Sequence, residues 1–397
     1  MLKHQRLAAV TAMSVAAISF GATAQAETHA KVYTVLHDFA GPTGDGARPF
    51  SGVTSDSAGN LYGTTYDGGA SNNGTIYKIA PGGSFTLLHS FDGAAGGAHP
   101  QAGVTIDKAT GDLYGVTESG GNFAGECSGV GCGTLYKLAA NGTFSVLHAF
   151  QGAPNDGRYP RWDVIRDRKG NLYGVTAAGG TLGDGILFKY GKDGSFTTLF
   201  TFDGTTAQPV GRLARDHDGN LYGALSTGGT SHACSGHGCG AVYRLSPNGT
   251  FVILYSFTNN EDGRYPAAGV TMDKNGYLYG TNQFGGTGGF GVVYRLIPDG
   301  AFSTLFSFNG TNGVSPASEV LPVKTDLYVT ATGGGANDKG TVVKVSTSGG
   351  GTVLHDLTGA DGWLPVAGVV MSGRLLYGTA MQGGSANHGV VFSLPKK

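Results

Sequence analysis

The pentapeptide Gly59-Asn60-Leu61-Tyr62-Gly63 (GNLYG) returns letter for letter at 170–174 and again at 219–223. Relaxed to Leu-Tyr followed by Gly or Val, the match extends to seven tyrosines: Tyr62, Tyr114, Tyr173, Tyr222, Tyr279, Tyr328 and Tyr377. Six residues after each stands the first glycine of a Gly-Gly pair, from Gly68 to Gly383. Next comes an apolar run such as GTIYK (74–78) or GVVYR (291–295), then one like FTLLHSF (85–91). A loop with a single proline follows in each unit: Pro49, Pro100, Pro160, Pro209, Pro266, Pro316 and Pro365. Three residues past most of these prolines begins a run of the type GVTID (103–107).

Each unit therefore holds four short runs of alternating apolar residues separated by turn formers, with no helical period. A four-stranded unit of about 50 residues repeated radially is a propeller blade. We label its strands A (GVTID type), B (LYG type), C (GTIYK type) and D (FTLLHSF type). The ends specify the closure. YTVLHDF (33–39) is a D strand with nothing before it in its unit, whereas GVVMS (368–372), LLYGTA (375–380) and GVVFSL (389–394) are A, B and C with no D after them. The sequence predicts an all-β, seven-bladed propeller over 27–397, its N-terminal strand completing the last blade.

Lys3 and Arg6 precede an apolar run from Leu7 to Phe20, and ATAQA (22–26) supplies small residues. This predicts a secretory signal peptide over 1–26, too short to span a bilayer, and a secreted or periplasmic product. Glycine reaches 72 copies, and charged residues are only 13% of the chain, with a formal net charge of −1. That balance, with no basic run, argues against nucleic acid or an anionic membrane as partner. No phosphate loop, nucleophile elbow or metal motif is present, so no cofactor or metal is expected.

GNLYGTT, the Gly-Gly pair, the GT-Y-K run and F-LLHSF at this period resemble the GloVer tandem-repeat family of secreted bacterial proteins. The resemblance implies a propeller-like fold and an exported product. It implies no reaction.

Residues shared by every blade are architecture; function belongs where one blade departs from its siblings. His37, His89, His148 and His355 share the fifth position of strand D with Phe200, Tyr255 and Phe306. A place where His, Phe and Tyr interchange is a packing place. Three residues past the loop proline, four blades carry glycine, but the others carry Asp163, Arg212 and Glu319. That position opens the innermost strand, so these charges are expected to meet at the channel mouth, where crowding perturbs pKa values. The same loops hold both tryptophans, Trp162 and Trp363, and a twice-used DGRYP (156–160 and 262–266). Arg158, Tyr159, Arg264 and Tyr265 come from those motifs, while Arg48, His99 and Arg161 flank their own prolines. Aromatic rings beside arginines at a concave mouth suit a sugar or planar ligand, carboxylates included. ECSGVGC (126–132) and ACSGHGC (233–239) predict disulfides Cys127–Cys132 and Cys234–Cys239 that stiffen two B–C loops.

The favoured expectation is a monomeric propeller binding an extracellular glycan or protein at this mouth. A second is a polysaccharide lyase or glycoside hydrolase acting on an acidic polysaccharide. In the lyase version Arg212 or Arg161 neutralises a uronate while Tyr159, Tyr265 or His99 takes the proton. In the hydrolase version Asp163 and Glu319 act as acid and base. A third expectation is a structural surface protein.

Overall fold

The computed structural model of the chain describes residues 32–42, 44–204, 208–231, 233–234, 236–298 and 300–396. The predicted signal peptide lies outside the described residues. From Tyr33 onward the chain is one compact unit. It contains seven antiparallel blade sheets ordered A-B-C-D, six of four strands and one, in blade 5, of five, where Arg264–Pro266 adds a strand beside strand B. Blade 2 is representative, with strands Thr105–Ile106, Leu113–Thr117, Thr134–Leu138 and Phe144–Ala149. In the last blade Thr34–Asp38 lies antiparallel to Val390–Pro395, so the N-terminal segment is its fourth strand. The predicted seven-bladed fold and its closure are what the structure contains.

The repeated letters have specific jobs. In the A–B turn, Asp56 Oδ1 accepts hydrogen bonds from the Ala58 and Asn60 backbone N–H groups, both at 2.9 Å. Its other oxygen accepts from the Asn60 amide at 2.7 Å and the Tyr62 hydroxyl at 3.0 Å. Asp167 and Asp216 repeat the arrangement, which is why GNLY follows an aspartate.

The glycine of LYG lies opposite the strand C aromatic, Gly63 against Tyr77 and Gly280 against Tyr294. A Cβ on either glycine would collide with the tyrosine hydroxyl and ring. Blade 6 exchanges the volumes, pairing Val329 with Val343. Overpacking by Gly280→Val should therefore cost about 1–3 kcal/mol, and Tyr294→Val should leave a cavity. The double variant, which copies blade 6, should be more stable than the two losses summed. Chemical unfolding measures this, and simple additivity of the two losses would contradict the pairing.

The core is divided among seven apolar clusters, one at each blade–blade interface. A ring of flat side chains girdles the outside. His37 stacks on Phe85, His89 on Phe144, His148 on Phe196, Phe200 on Phe251 and Tyr255 on Phe302. His355 stacks on Tyr33, which carries the belt across the termini, and Gly351 leaves a gap in it beside Phe306. The strand D histidines are thus packing residues, and His148 and His355 also reach Asp156 and Asp361 at 2.8 Å. In blades 1, 5, 6 and 7 a strand B threonine ties the blade to the next, as Thr64 Oγ1 donates to the Ala102 carbonyl at 2.7 Å. Thr379 makes the same bond to Ser51 across the closure.

Candidate functional site

In an antiparallel meander the A–B and C–D turns lie on one face of the disc, and the D–A and B–C loops on the other. The loop face contains all the predicted site residues and both disulfides, Cys127–Cys132 and Cys234–Cys239. It also gathers exposed apolar side chains: Phe123, Val130, Leu182, Phe284 and Phe290.

At the hub, strands A press backbone against backbone. A Cβ on Gly269 would strike the Arg212 carbonyl, and one on Gly368 would come within 2.7 Å of the Glu319 carbonyl. Glycine is needed there for this close approach, and the three positions that carry side chains instead fill the lumen. Asp163, Arg212 and Glu319 line one central cavity of about 630 Å³ together with Arg161, Trp162 and Gln101. Asp163 Oδ1 accepts from the Gly103 backbone N–H at 2.7 Å.

Glu319 keeps some accessible area because the channel reaches it, yet protein surrounds it densely, and that second fact governs its charge. Burial pushes its carboxyl up to about 7; the Asp163 charge adds to the rise. The Arg212 guanidinium and a hydrogen bond from the Arg212 backbone N–H oppose it. The Arg212 Nε is buried and has no hydrogen-bond partner among the described residues.

The rim is built from the residue before each loop proline. Arg48, His99, Tyr159, Gln208, Tyr265, Ser315 and Leu364 all have φ between 54° and 58°. A residue preceding proline normally favours extended backbone, and left-handed geometry at a non-glycine costs about 1–3 kcal/mol. Two bonds hold it. The His99 N–H donates to the Asn73 carbonyl of the preceding blade at 2.8 Å, and the His99 carbonyl accepts from the Glu118 N–H at 3.2 Å. In the two DGRYP motifs the first of these acceptors is a cysteine carbonyl: Tyr159 N–H donates to Cys132 at 3.0 Å and Tyr265 N–H to Cys239 at 2.9 Å. Each disulfide loop thus anchors the tyrosine of one DGRYP, a link that neither motif announces.

The rim side chains form an interlocked surface. Arg158 lies over the Tyr159 ring at 4.5 Å and Arg264 over Tyr265 at 5.3 Å. Lys339 covers Trp363 at 4.0 Å. His99 stacks on Tyr66 at 4.6 Å. Two expectations need correction here. Arg161 is not a vacant clamp for a uronate, because Glu118 holds it at 2.7 Å; Arg48 is likewise paired with Asp67. Tyr159, Tyr265 and His99 do not line the central cavity; Arg158, Arg264 and Tyr66 lie against their rings at the rim. Trp162 lines the cavity but also packs on the apolar cluster between blades 3 and 4.

Tyr66, Asp67 and Glu118 escaped the sequence reading. They occupy the two positions before the Gly-Gly pair, which hold Ala177-Ala178 in blade 3 and Met381-Gln382 in blade 7. Comparing blades at those positions would have found them. Among the described residues no group of three or more His, Cys, Asp or Glu side chains is arranged to hold a metal ion.

This architecture defines a seven-bladed β-propeller with its crowded face on the D–A and B–C loops. The chain belongs to the Gloeobacter/Verrucomicrobia repeat family, whose repeat matches residues 11–236, 126–326 and 229–397. Among solved structures it is similar to the periplasmic gluconolactonase of Pseudomonas aeruginosa, at 16% identity over 84% of this chain and 96% of that one, with a TM-score of 0.51. It is also similar to a puromycin hydrolase, at 15% identity and a TM-score of 0.55, over 84% of this chain but 50% of that one. At these identities the likeness is one of fold. No curated protein is similar to the chain in sequence. No helix among the described residues is long and apolar enough to cross a membrane, and the two disulfides fit a secreted or periplasmic protein.

Proposed function

We propose that the chain is an exported, monomeric propeller that binds a glycan at the loop-face mouth of its channel. The observation behind this reading is that Asp163, Arg212 and Glu319, the three charged departures from an otherwise glycine-lined hub, share one cavity with Trp162. Its volume of about 630 Å³ is in the range of small-ligand sites. Carboxylates and a guanidinium satisfy sugar hydroxyls in both directions, and an indole ring packs against the apolar face of the sugar.

The raised carboxyl of Glu319 supports a second reading, hydrolysis of an acidic polysaccharide. Near neutral pH Glu319 would hold a proton to give to a leaving oxygen, Asp163 would activate water, and Arg212 would face the substrate carboxylate.

One experiment addresses both. The purified protein is presented with neutral and acidic polysaccharides while retention, new reducing ends and the ultraviolet absorbance of unsaturated uronates are followed. Arg212→Ala should weaken retention roughly ten- to a hundredfold, the cost of a charged hydrogen bond, and Glu319→Gln by a smaller factor, because that carboxyl carries a proton for much of the time near neutral pH. Reducing ends lost in the same variants would favour hydrolysis. Retention equal to the parent in both variants would remove the hub from the site.

A further inference from the structure

The formal net charge of −1 conceals a sorting of charge between the two faces. Among the described residues the loop face holds a single lysine, Lys339, amid carboxylates such as Asp67, Glu118, Asp156 and Asp361. The opposite face, formed by the A–B and C–D turns, holds the other described lysines, at the ends of strands C and in the turns. The expectation against nucleic acid or an anionic membrane rested on the net charge and the lack of a basic run along the chain, and the net charge averages over two unlike surfaces.

On the turn face, blades 3, 4 and 5 border a depression of about 810 Å³. Arg166, Arg168, Lys169, Arg215 and His217 line it, and Arg212 reaches it from the hub. Arg168, Lys169, Arg215 and His217 are exposed. Three carboxylates, Asp167, Asp216 and Asp218, line it as well, against five arginine and lysine side chains, so a positive excess remains. Asp167 is occupied by its own turn, accepting from the Lys169 and Asn171 N–H groups and the Asn171 amide at 2.8–2.9 Å. Asp216 is occupied in the same way by Asn220 and Tyr222. Asp218 faces His217 at 3.0 Å. Arg166 pairs with Asp107 through Nη2 at 2.7 Å, which leaves its buried Nε without a hydrogen-bond partner among the described residues. The cations are spread along two adjacent turns, a spacing that suits a chain of anionic groups better than one small ion.

We infer that this depression is a second binding site, for an anionic polysaccharide bearing sulfate, phosphate or carboxylate groups. Arginine forks grip such groups in two-point fashion, and lysine adds a point charge. The sorted charge gives the encounter a direction: the turn face is drawn to the polyanion while the carboxylate-rich face is repelled, so the loop-face mouth is left turned outward. This inference does not rest on the glycan reading of the hub, whose residues its test leaves intact.

The test measures binding of the mature protein to dextran sulfate, with neutral dextran and anionic phospholipid vesicles as separate arms, across a salt series. Binding to dextran sulfate alone, falling steeply with salt, is the expected result. Arg168→Glu, Lys169→Glu and Arg215→Glu combined should weaken it at least about tenfold with unchanged unfolding temperature. Reversing Lys274, Lys324 and Arg374, which lie on the same face outside the depression, should have a much smaller effect. Equal loss from both triple variants would reduce the site to general surface charge and overturn it. So would binding to vesicles only, low-salt self-association without polymer, or no binding by the parent.

Discussion

Removing residues 33–39 is expected to abolish cooperative unfolding. The segment supplies the whole outer strand of the last blade, paired to Val390–Pro395. Phe39 is fully buried, and Tyr33, Val35 and Leu36 pack on the clusters either side of the closure. Full burial of a side chain such as Phe39 is worth about 1.5–3 kcal/mol, and the half-buried Tyr33, Val35 and Leu36 each add a part of that. The four together approach the 5–15 kcal/mol, roughly, that separates a folded domain from its unfolded chain. The deletion also removes the Tyr33–His355 and His37–Phe85 stacks and uncovers a strand edge. Calorimetry of the truncated chain should show a broad, early transition or none. A synthetic peptide of sequence 33–39 should restore the transition in trans by adding back the strand. A truncated chain that melts as the parent does would mean the ring is not held by this strand.

The second large effect concerns Glu319. Its carboxyl is raised from the ordinary range to about 7 in the folded protein, so between those values the native state holds a proton that the unfolded chain has released. Native stability from this group is therefore full at acid pH and declines as pH climbs toward 7, by on the order of a few kcal/mol. Glu319→Gln keeps the shape and removes the ionisation. The variant should lose that slope, matching the parent near pH 5 and exceeding it near pH 8, as read by denaturant midpoints. Parallel curves for parent and variant across this window would refute the assignment of the slope to Glu319.

The strands were legible because a period of two and a fixed order of turn residues reflect local geometry directly. LYG, the Gly-Gly pair and the loop proline each mark a contact repeated around the ring. For the same reason a His that alternates with Phe and Tyr could be read as a stacking position. Loop pairing was not legible. The union of each disulfide loop with the next DGRYP tyrosine joins segments that meet only once blades are arranged in a circle. Nor could sequence show that Glu118 and Asp67 already occupy Arg161 and Arg48, because those partners lie in different loops of the folded disc. Charge sorting was hidden for a related reason: turn and loop residues alternate along the chain and separate only in space.

The left-handed residues before the prolines have a consequence for diversity. Their conformation is held by main-chain bonds to neighbouring blades, and the side chains that share it are Arg, His, Tyr, Gln, Tyr, Ser and Leu. The scaffold thus demands a backbone there and is indifferent to what the backbone carries. Such a wheel offers seven spokes whose tips can be exchanged one at a time, so new specificities can arise in this family by rewriting single letters while the frame is inherited unchanged.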